Sequence, residues 1–503
     1  MNPGFGSKHS RKLLIGSISK KALSKELLGI GLLSILAPNL ASAAEWRFTP
    51  SVDLTETYTD NVTLGSDSGS ESDWISQINP AFSLTGKGRE LELAFDYRMQ
   101  NILYVGDDDR NNTNHQLNAA LKTTLAPHWL FLDASSTLNQ QVLSPDDNVS
   151  VGNLGVVSGR EDVLTTRVSP YIKTRLTSWV LADLRFSHDS VAYSGNTATD
   201  SSSDQTSLSL QSAKAFGSWT WALRYTEQNI KYSEQSLTQN REDENRRDTV
   251  LDLGYQLSAK IRLTGQAGYE DNEYQLSADS ETPQGRYWNM GAVWAPTSQT
   301  TLTASGGRRY FGRTWKLDWS HQARRQNWQL AYNEDLSSRR ELQLEQRDFL
   351  VFDQNGIPVI DPNTLGQVVL TGNILVPTDE VFIDRRTSFH WSMNHRKSTT
   401  TFQLNRSRRE FQESDATEIV TGIDLAWDWS ASRNGKFRAN LGSQRTERDA
   451  GNDHYKLVGL GYERQLGRRV SSSYELRNVR RDTSGASDGY SENQISANLR
   501  MSW

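Results

Sequence analysis

The sequence lacks cysteine altogether, and only 36% of its 503 residues are hydrophobic. The absence of cysteine excludes a disulfide framework, a thiolate metal site and a lipid-modified N-terminal cysteine, and it suits a chain exported to an oxidising compartment. Beyond residue 44, no apolar run is long enough to form a transmembrane helix. If the chain spans a membrane, it must therefore do so as a closed β-barrel, in which only every second strand residue needs to be apolar.

Histidine is also scarce, and none of the eight has the spacing of a metal site such as H-E-x-x-H. The compact group His188-Asp189-Ser190 falls in a strand pattern, where neighbouring side chains point to opposite faces and cannot converge. Asp107-Asp108-Asp109 lacks the glycine-bearing loop of a calcium site and is more typical of a solvated turn. We therefore predict no enzyme activity, no metal and no cofactor.

The first 44 residues have the pattern of a signal peptide. A long basic region precedes an apolar stretch at residues 27–36, and the small residues Ala41-Ser42-Ala43 form a cleavage site. The alternative is an N-terminal membrane anchor. The segment carries six Lys or Arg and one Glu, so its removal takes the formal net charge from -5 to about -10. No basic stripe remains, which excludes nucleic acid as a partner.

The end of the chain, from Tyr490 onward, alternates strictly between apolar and polar residues. Its apolar set is Ile495, Ala497, Leu499, Met501 and Trp503, with polar residues between them. A period of two predicts a strand with one apolar and one polar face. The alternative is an edge strand of a soluble sandwich. A final strand that ends on an aromatic residue is typical of outer-membrane barrels, so we expect Leu499, Met501 and Trp503 to be the signal for the barrel assembly machinery.

The same alternation recurs along residues 45–503, with short turns and longer polar connections following each other in turn. This two-sidedness is typical of outer-membrane barrels, whose periplasmic turns are short and whose extracellular loops are long. The pattern predicts an all-β fold, a transmembrane antiparallel up-and-down β-barrel of about 22 strands (18–22) in the bacterial outer membrane. Outer-membrane lipid and lipopolysaccharide would then surround it.

Charged residues occupy the polar face of the predicted strands. Such residues suit a water-filled lumen and not the core of a soluble β-sandwich. The candidate lumen-facing residues are Glu92, Asp96, Arg98, Asp183, Arg185, Arg262, Asp424, Asp428 and Arg438. Because they mix both signs, they favour a hydrated polar solute over a strongly charged one. The alternative is plain solvation of a barrel wall.

A barrel this wide would leak unless something narrowed it, and strand one starts too close to the cleavage site to leave room for an N-terminal plug. The connection 335–385 is the longest in the chain and carries apolar patches between residues 349 and 376. We expect it to fold inward as a constriction or lid, the alternative being a loop exposed on the exterior.

The central segment contains Trp294-Ala295-Pro296-Thr297, then the run from Gly307 to Gly312, then His321 and Trp328. Together with Tyr58-Thr59-Asp60-Asn61-Val62, it resembles the outer-membrane proteins associated with the exosortase/PEP-CTERM sorting system of Gram-negative bacteria. The likeness is loose over the mature chain and tighter here, and Gln299 departs from the arginine expected in that family. The resemblance implies a role in moving exopolysaccharide or exported protein across the outer membrane, with periplasmic export components as partners.

At the tip of this segment lie Arg308, Arg309, Tyr310 and Phe311, where an aromatic girdle would meet the exterior. The arginines, with Arg313, are candidates to bind anionic lipopolysaccharide or acidic groups of a polymer. The alternative is a stable hairpin tip with solvated arginines.

Three functions remain open. The first is an outer-membrane channel for exopolysaccharide export linked to the sorting system. The second is a non-conducting structural barrel that anchors a surface polymer or a sorted protein. The third is a general diffusion porin.

Overall fold

The computed structural model describes residues 44–503 except 67, 144–146, 149–150, 158, 214–216, 234–240, 278–281, 346–377 and 485–487. Nearly all of the predicted signal peptide lies outside the described residues, so that assignment stays a prediction. From Glu45 onward the described chain is almost entirely β-strand.

Twenty-two strands follow each other along the chain. They are β1 Glu45–Thr59, β2 Asp73–Lys87, β3 Leu91–Tyr104, β4 Asn112–Ala126, β5 Leu130–Val142, β6 Arg160–Arg175, β7 Val180–Tyr193, β8 Ser201–Ser212, β9 Trp219–Tyr232, β10 Glu244–Ser258, β11 Ile261–Glu273, β12 Gln284–Thr297, β13 Thr300–Arg309, β14 Gly312–Gln322, β15 Gln326–Ser337, β16 Phe382–Asn394, β17 Ser398–Phe411, β18 Thr417–Ser430, β19 Gly435–Arg448, β20 Gly451–Gln465, β21 Val470–Thr483 and β22 Tyr490–Ser502.

Each strand pairs antiparallel with its neighbours in sequence, and the last strand closes the sheet on the first. The closing ladder runs from Ser51 opposite Ser502 to Thr59 opposite Gln494. The sheet is therefore a closed up-and-down barrel, as predicted, and its strand number is the predicted 22. Closure leaves no sheet edge to be satisfied by lipid.

The two ends of the barrel differ in their connections. At the end that holds both strand termini, Glu45 and Ser502, the connections are two to six residues long, which identifies the periplasmic side. At the other end they are mostly longer, and the longest spans residues 338–381. One α-helix, α1 Arg339–Glu345, lies in that connection, and no helix among the described residues is long and apolar enough to cross a bilayer.

The alternation indicates longer polar connections from Ser407 to Ala416 and from Arg445 to Asp453, and both are shorter in the structure. Only residues 412–416 separate β17 from β18, and only 449–450 separate β19 from β20. Residues 310–311, between β13 and β14, form a tight hairpin tip. Gly312 and Gly451, with φ of 118° and 145°, follow the two tightest turns. The polar residues that resembled loop belong to strands, because charges on the inner face need not end a strand in a water-filled barrel.

The register sorts side chains cleanly between the two faces. Outward positions are apolar and exposed, as in Phe48 (60%) and Ile495 (57%), whereas the inward positions of the same strands carry Asp53 and Gln494. All twelve tryptophans that lie in strands are on the outward face. An apolar outer surface rich in tryptophan over a polar interior places the barrel in the bacterial outer membrane.

This sorting predicts opposite outcomes for the same substitution at neighbouring positions of β8. Leu208 faces outward and Ser209 inward. Leu208→Arg should destabilise the barrel by about 2–4 kcal/mol, because the charge enters hydrocarbon. Ser209→Arg should change the free energy of unfolding by less than about 1 kcal/mol, because its side chain stays in water. Denaturant unfolding in lipid vesicles measures both, and equal losses would contradict this assignment of faces.

Candidate channel interior and extracellular closure

All nine candidate lumen residues occupy inward positions in the register, but they do not form one site. Arg98 lies 3.4 Å from Asp53, and Arg438 donates to Asp428 at 2.8 Å. Arg262 donates to the Thr220 hydroxyl at 2.7 Å. The others, Glu92, Asp96, Asp183, Arg185 and Asp424, are spread over β3, β7 and β18. These residues line separate stretches of wall, and whether they contact a solute stays a prediction.

One aromatic group lies on the inner wall near the periplasmic end. The rings of Phe131 and Tyr171 are stacked at 5.0 Å, and the Arg185 guanidinium lies 3.9 Å from the centre of the Tyr171 ring. Arg185 also donates to Asp133 at 3.0 Å. Because the two stacked rings and the arginine lie side by side on three neighbouring strands, this group is a packed part of the wall that still presents polar and aromatic surface to the lumen.

Near the extracellular end, a row of alternating charges crosses five strands on the inner face. Arg409 and Arg448 both donate to Glu418 at 2.6 Å, and Arg448 also donates to Asp453 at 2.9 Å. Arg481 donates to the same Asp453 at 2.8 Å. Arg409 has no exposed surface and Arg481 is buried, so each charge depends on its partners. We call these five residues the ion row.

The two adjacent arginines of the hairpin tip point in opposite directions, contrary to the prediction that both contact external anions. Arg309 turns inward and pairs with Glu270 at 2.6 Å and Asp335 at 2.8 Å. Arg308 turns outward and is exposed. Neighbours in a strand necessarily face opposite sides, so Arg309 is a link between β11, β13 and β15 and not an external contact.

The two aromatic residues of the tip lie at the turn itself. The Tyr310 hydroxyl is 2.9 Å from that of Tyr274, and the Phe311 ring packs edge-on against Tyr310 at 5.0 Å. Burial raises the pKa of both Tyr274 and Tyr310, so both hydroxyls are neutral. The tip is thus held by its own neighbours.

The helix α1 lies inside the barrel mouth. Arg340 donates from Nε to Ser201 at 3.1 Å and lies 3.5 Å from the Asp189 carboxylate, both on the inner face. Gln343 and Gln141 exchange two hydrogen bonds of 3.0 and 2.8 Å. Glu341 accepts from Arg246 at 2.5 Å. The helix is therefore tied to β5, β7, β8 and β10, far around the barrel from β15, where it begins.

An apolar contact adds to these polar ties. Leu344 is buried with Leu143, Val163, Val191 and Ala198, which form a small cluster on the inner face of β6 and β7 and their connections. Burial raises the pKa of the Glu341 carboxyl, and the neighbouring Arg246 guanidinium opposes that shift. A charged, partly desolvated helix is thus held inside the mouth by a few specific partners.

The chain crosses the barrel mouth in few residues. Only five residues lie between Ser337 at the end of β15 and Gln343, and α1 itself is about 10 Å long. On a circular barrel of 22 strands, β15 and β5 would stand about 40 Å apart. The opposite walls must therefore approach each other at this end, which narrows the mouth.

Other connections also cross the mouth. Asn148, after β5, accepts from Arg481 of the ion row at 2.6 Å and donates to the Leu64 carbonyl at 2.8 Å. Gln275 donates to Glu413 at 2.8 Å. The amide of Thr199 donates to Asp379, which also pairs with Arg339 at 3.1 Å. We call α1 and these crossing contacts the extracellular closure.

The rest of the predicted constriction, 346–377 with its apolar patches, lies outside the described residues, so a constriction by the whole connection stays a prediction. The described part begins inside the mouth. Among the described residues, no group of three or more His, Asp or Glu side chains could hold a metal ion. His188 points outward to Asp204, whereas Asp189 points inward to Arg340. The side chains of the run His188-Asp189-Ser190 therefore do not converge on one site.

The predicted assembly signal is at the closing ladder. Leu499 and Met501 face outward opposite Leu54 and Val52 of β1, and the amide of Trp503 donates to the Pro50 carbonyl at 3.0 Å. These residues thus border the junction between the first and last strands. Recognition by the assembly machinery stays a prediction.

No protein-family model matches this sequence, and no curated protein matches it. Among solved structures, the chain is similar to a variant of the ferric enterobactin receptor PfeA from Pseudomonas aeruginosa bound to enterobactin, with 11% identity and a TM-score of 0.52 over 92% of this chain and 82% of that chain. It is also similar to the FrpB iron transporter from Neisseria meningitidis, with 10% identity and a TM-score of 0.50 over 90% of this chain and 81% of that chain.

At this identity the likeness is one of fold. The resemblance to the exosortase-associated family stays a prediction.

Sequence analysis did not single out the residues of the ion row or of the extracellular closure. Glu418 of the ion row has the same strand parity as Asp424 and Asp428, so alternation alone could have identified it as an inward-facing charge. The partners of Arg340 and Gln343 had no sequence signal, because they lie 139 to 202 residues away along the chain.

The ion row predicts a large cost for one buried carboxylate. Glu418→Gln should lower the free energy of unfolding by about 3 kcal/mol or more, because it leaves Arg409 buried without its ion pair. The control, Asp428→Asn on the same strand, should cost less than about 1 kcal/mol, since Asp428 and Arg438 are 43% and 55% exposed. Denaturant unfolding in lipid vesicles measures both variants. A small loss in the free energy of unfolding for Glu418→Gln would show that the ion row adds little stability.

Proposed function

We propose that this protein is a gated outer-membrane channel for a hydrated polar solute, and that the solute is an exopolysaccharide leaving the cell. The observation that carries the proposal is the docking of α1 among inward charges at the mouth of a polar-walled barrel. A wide barrel in the outer membrane needs such a closure if it is to conduct selectively.

The strength of the closure suits a gate. The ties of α1 are a few hydrogen bonds and ion pairs, each worth about 0.5–3 kcal/mol, and one buried leucine. Water can replace every polar partner when the helix leaves, so undocking exposes little apolar surface. A ligand or partner that binds the released segment by a few kcal/mol would therefore open the mouth.

The interior supports a polar and neutral or weakly charged cargo. Acidic and basic residues alternate around the wall, as in Arg438 with Asp428 and Arg185 with Asp133, so neither sign dominates. The Phe131–Tyr171 stack offers aromatic surface of the kind on which sugar rings pack. The link to polysaccharide and to a sorting system rests on the sequence resemblance.

Two other functions have support of their own. Uptake of a ligand captured outside is favoured by the barrel likeness to proteins named as a ferric enterobactin receptor and an iron transporter. A non-conducting structural barrel is favoured by the closed mouth itself. A general diffusion porin is disfavoured by the same closure, because a porin conducts without a signal.

Weakening the closure should raise conductance. Arg340→Gln removes the guanidinium that holds α1 to Asp189 and Ser201, contacts worth about 1.5–3 kcal/mol. In planar bilayers the fraction of time spent open should rise at least about tenfold over wild type. Arg247→Gln, which removes an outward arginine of β10, is the control and should leave conductance unchanged. If the Arg340→Gln barrel shows no conductance, the result would support the alternative of a non-conducting structural barrel.

Because the chain has no native cysteine, α1 can be fixed in place. Gln141→Cys with Gln343→Cys puts two thiols where the side chains now meet, and a short bismaleimide would join them. In cells that secrete the polymer, the joined protein should block secretion while untreated protein supports it. Each single-cysteine variant given the same reagent is the control. Normal secretion through the joined barrel, or in a strain lacking the protein, would rule out the export function.

A further inference from the structure

The outward face of β13 to β17 carries a group of arginines close to the extracellular end. They are Arg308, Arg313, Arg385, Arg406 and Arg408, and the register places all five on the lipid side. Arg308 is directly opposite Arg313, and Arg385 is directly opposite Arg408. Like charges in such positions repel each other, so each pair requires an anion or costs stability.

The two pairs differ in how the repulsion is relieved. Glu410 pairs with both Arg385 and Arg408, and Glu334 approaches Arg385 at 3.4 Å. Among the described residues, Arg308 and Arg313 have no carboxylate within ion-pair distance. Two opposed guanidinium groups without a carboxylate form a site for an external anion, and arginine binds phosphate with two parallel hydrogen bonds.

Tryptophans fix the depth of this pair in the membrane. Trp288 is directly opposite Arg308 on β12, and Trp315 follows two residues after Arg313 on the same face with 62% of its surface exposed. Exposed outward tryptophans mark the interface between hydrocarbon and headgroups. Arg308 and Arg313 therefore lie at the level of the outer-leaflet headgroups.

The sheet itself is open beside this pair. The ladder between β14 and β15 ends at Leu317 opposite Tyr332, so the extracellular part of β14 is not paired with β15. There the Glu334 carboxylate accepts from the Trp315 amide at 3.3 Å. Strands that are not paired with each other cannot face hydrocarbon, so this seam also belongs at the headgroup level.

The outward charges of the extracellular rim differ on β6 to β11. There the acids Asp162, Asp204, Glu227, Asp271 and Glu273 outnumber the exposed bases Lys231 and Arg247. An acidic surface repels phosphorylated lipid, so the two sides of the barrel would meet the same leaflet differently.

We propose that the outer face around the β14–β15 seam is a binding site for lipopolysaccharide, whose phosphate groups are held by Arg308 and Arg313 on one side and by Arg385, Arg406 and Arg408 on the other. The bound glycolipid neutralises the opposed arginines and covers the seam. This site depends on the outer-membrane location and is independent of whether the barrel exports polymer.

The test is titration of the detergent-purified full-length barrel with lipid A, read by native mass spectrometry. Arg308→Gln with Arg313→Gln should weaken binding roughly 10–30-fold, since each basic residue contributes modestly to holding an anionic lipid. The matched control, Arg247→Gln with Arg286→Gln, removes two exposed outward arginines from β10 and β12 and should change binding less than threefold. Equal binding by both double variants would overturn the site.

Two further measurements assign the source of the anion. Dephosphorylated lipid A and phosphatidylglycerol should each bind much more weakly than lipid A, and equal binding by either would overturn the assignment to lipopolysaccharide phosphates. Tighter binding of a purified acidic polysaccharide than of lipid A would also overturn that assignment.

Heat-modifiable gel mobility checks that each variant is folded. If the double variant fails to fold, Arg313→Lys serves instead, and it should bind more weakly because it keeps the charge without the two-pronged geometry.

Discussion

The constraint on which this structure depends is that hydrocarbon offers no partner to a backbone amide or carbonyl. Every strand must be paired on both sides through the membrane, so the sheet closes where β22 meets β1. Closure divides the chain into two surfaces, because alternate residues of a strand face opposite sides. The apolar outer face, the polar lumen and the outward position of the tryptophans that lie in strands all follow from that division. The long interruptions in pairing between β14 and β15 and between β4 and β5 both lie at the extracellular end, where headgroups or water can replace the missing partner.

Water inside the barrel permits what a protein core would not. Charges on the inner face are paired in a row across β17 to β21, and this row includes the buried pair of Arg409 and Glu418. The same water makes the docking of α1 reversible in principle, since its polar ties exchange with solvent at low cost. The mouth is crossed by this helix and by the connections after β5, β7 and β11.

The neighbours Arg308 and Arg309 illustrate how one step along a strand changes the chemistry of a residue. Arg309 becomes an internal link between Glu270 and Asp335, whereas Arg308 stands opposite Arg313 at the lipid surface. One hairpin therefore contributes an ion-paired link to the inner face and a candidate lipid contact to the outer face.

The sequence alone determined the barrel, its strand number, its orientation in the membrane and the inward direction of residues such as Asp96, Arg262 and Asp428, because these depend only on a period of two and on connection length. It misjudged the connections predicted from Ser407 and from Arg445, where polar residues resembled loop but continue the strands. The pairing of Arg340 with Asp189, of Gln343 with Gln141 and of Arg308 with Arg313 was decided only by the tertiary structure. Such contacts join residues that are distant along the chain, or depend on a strand register that alternation by itself does not fix.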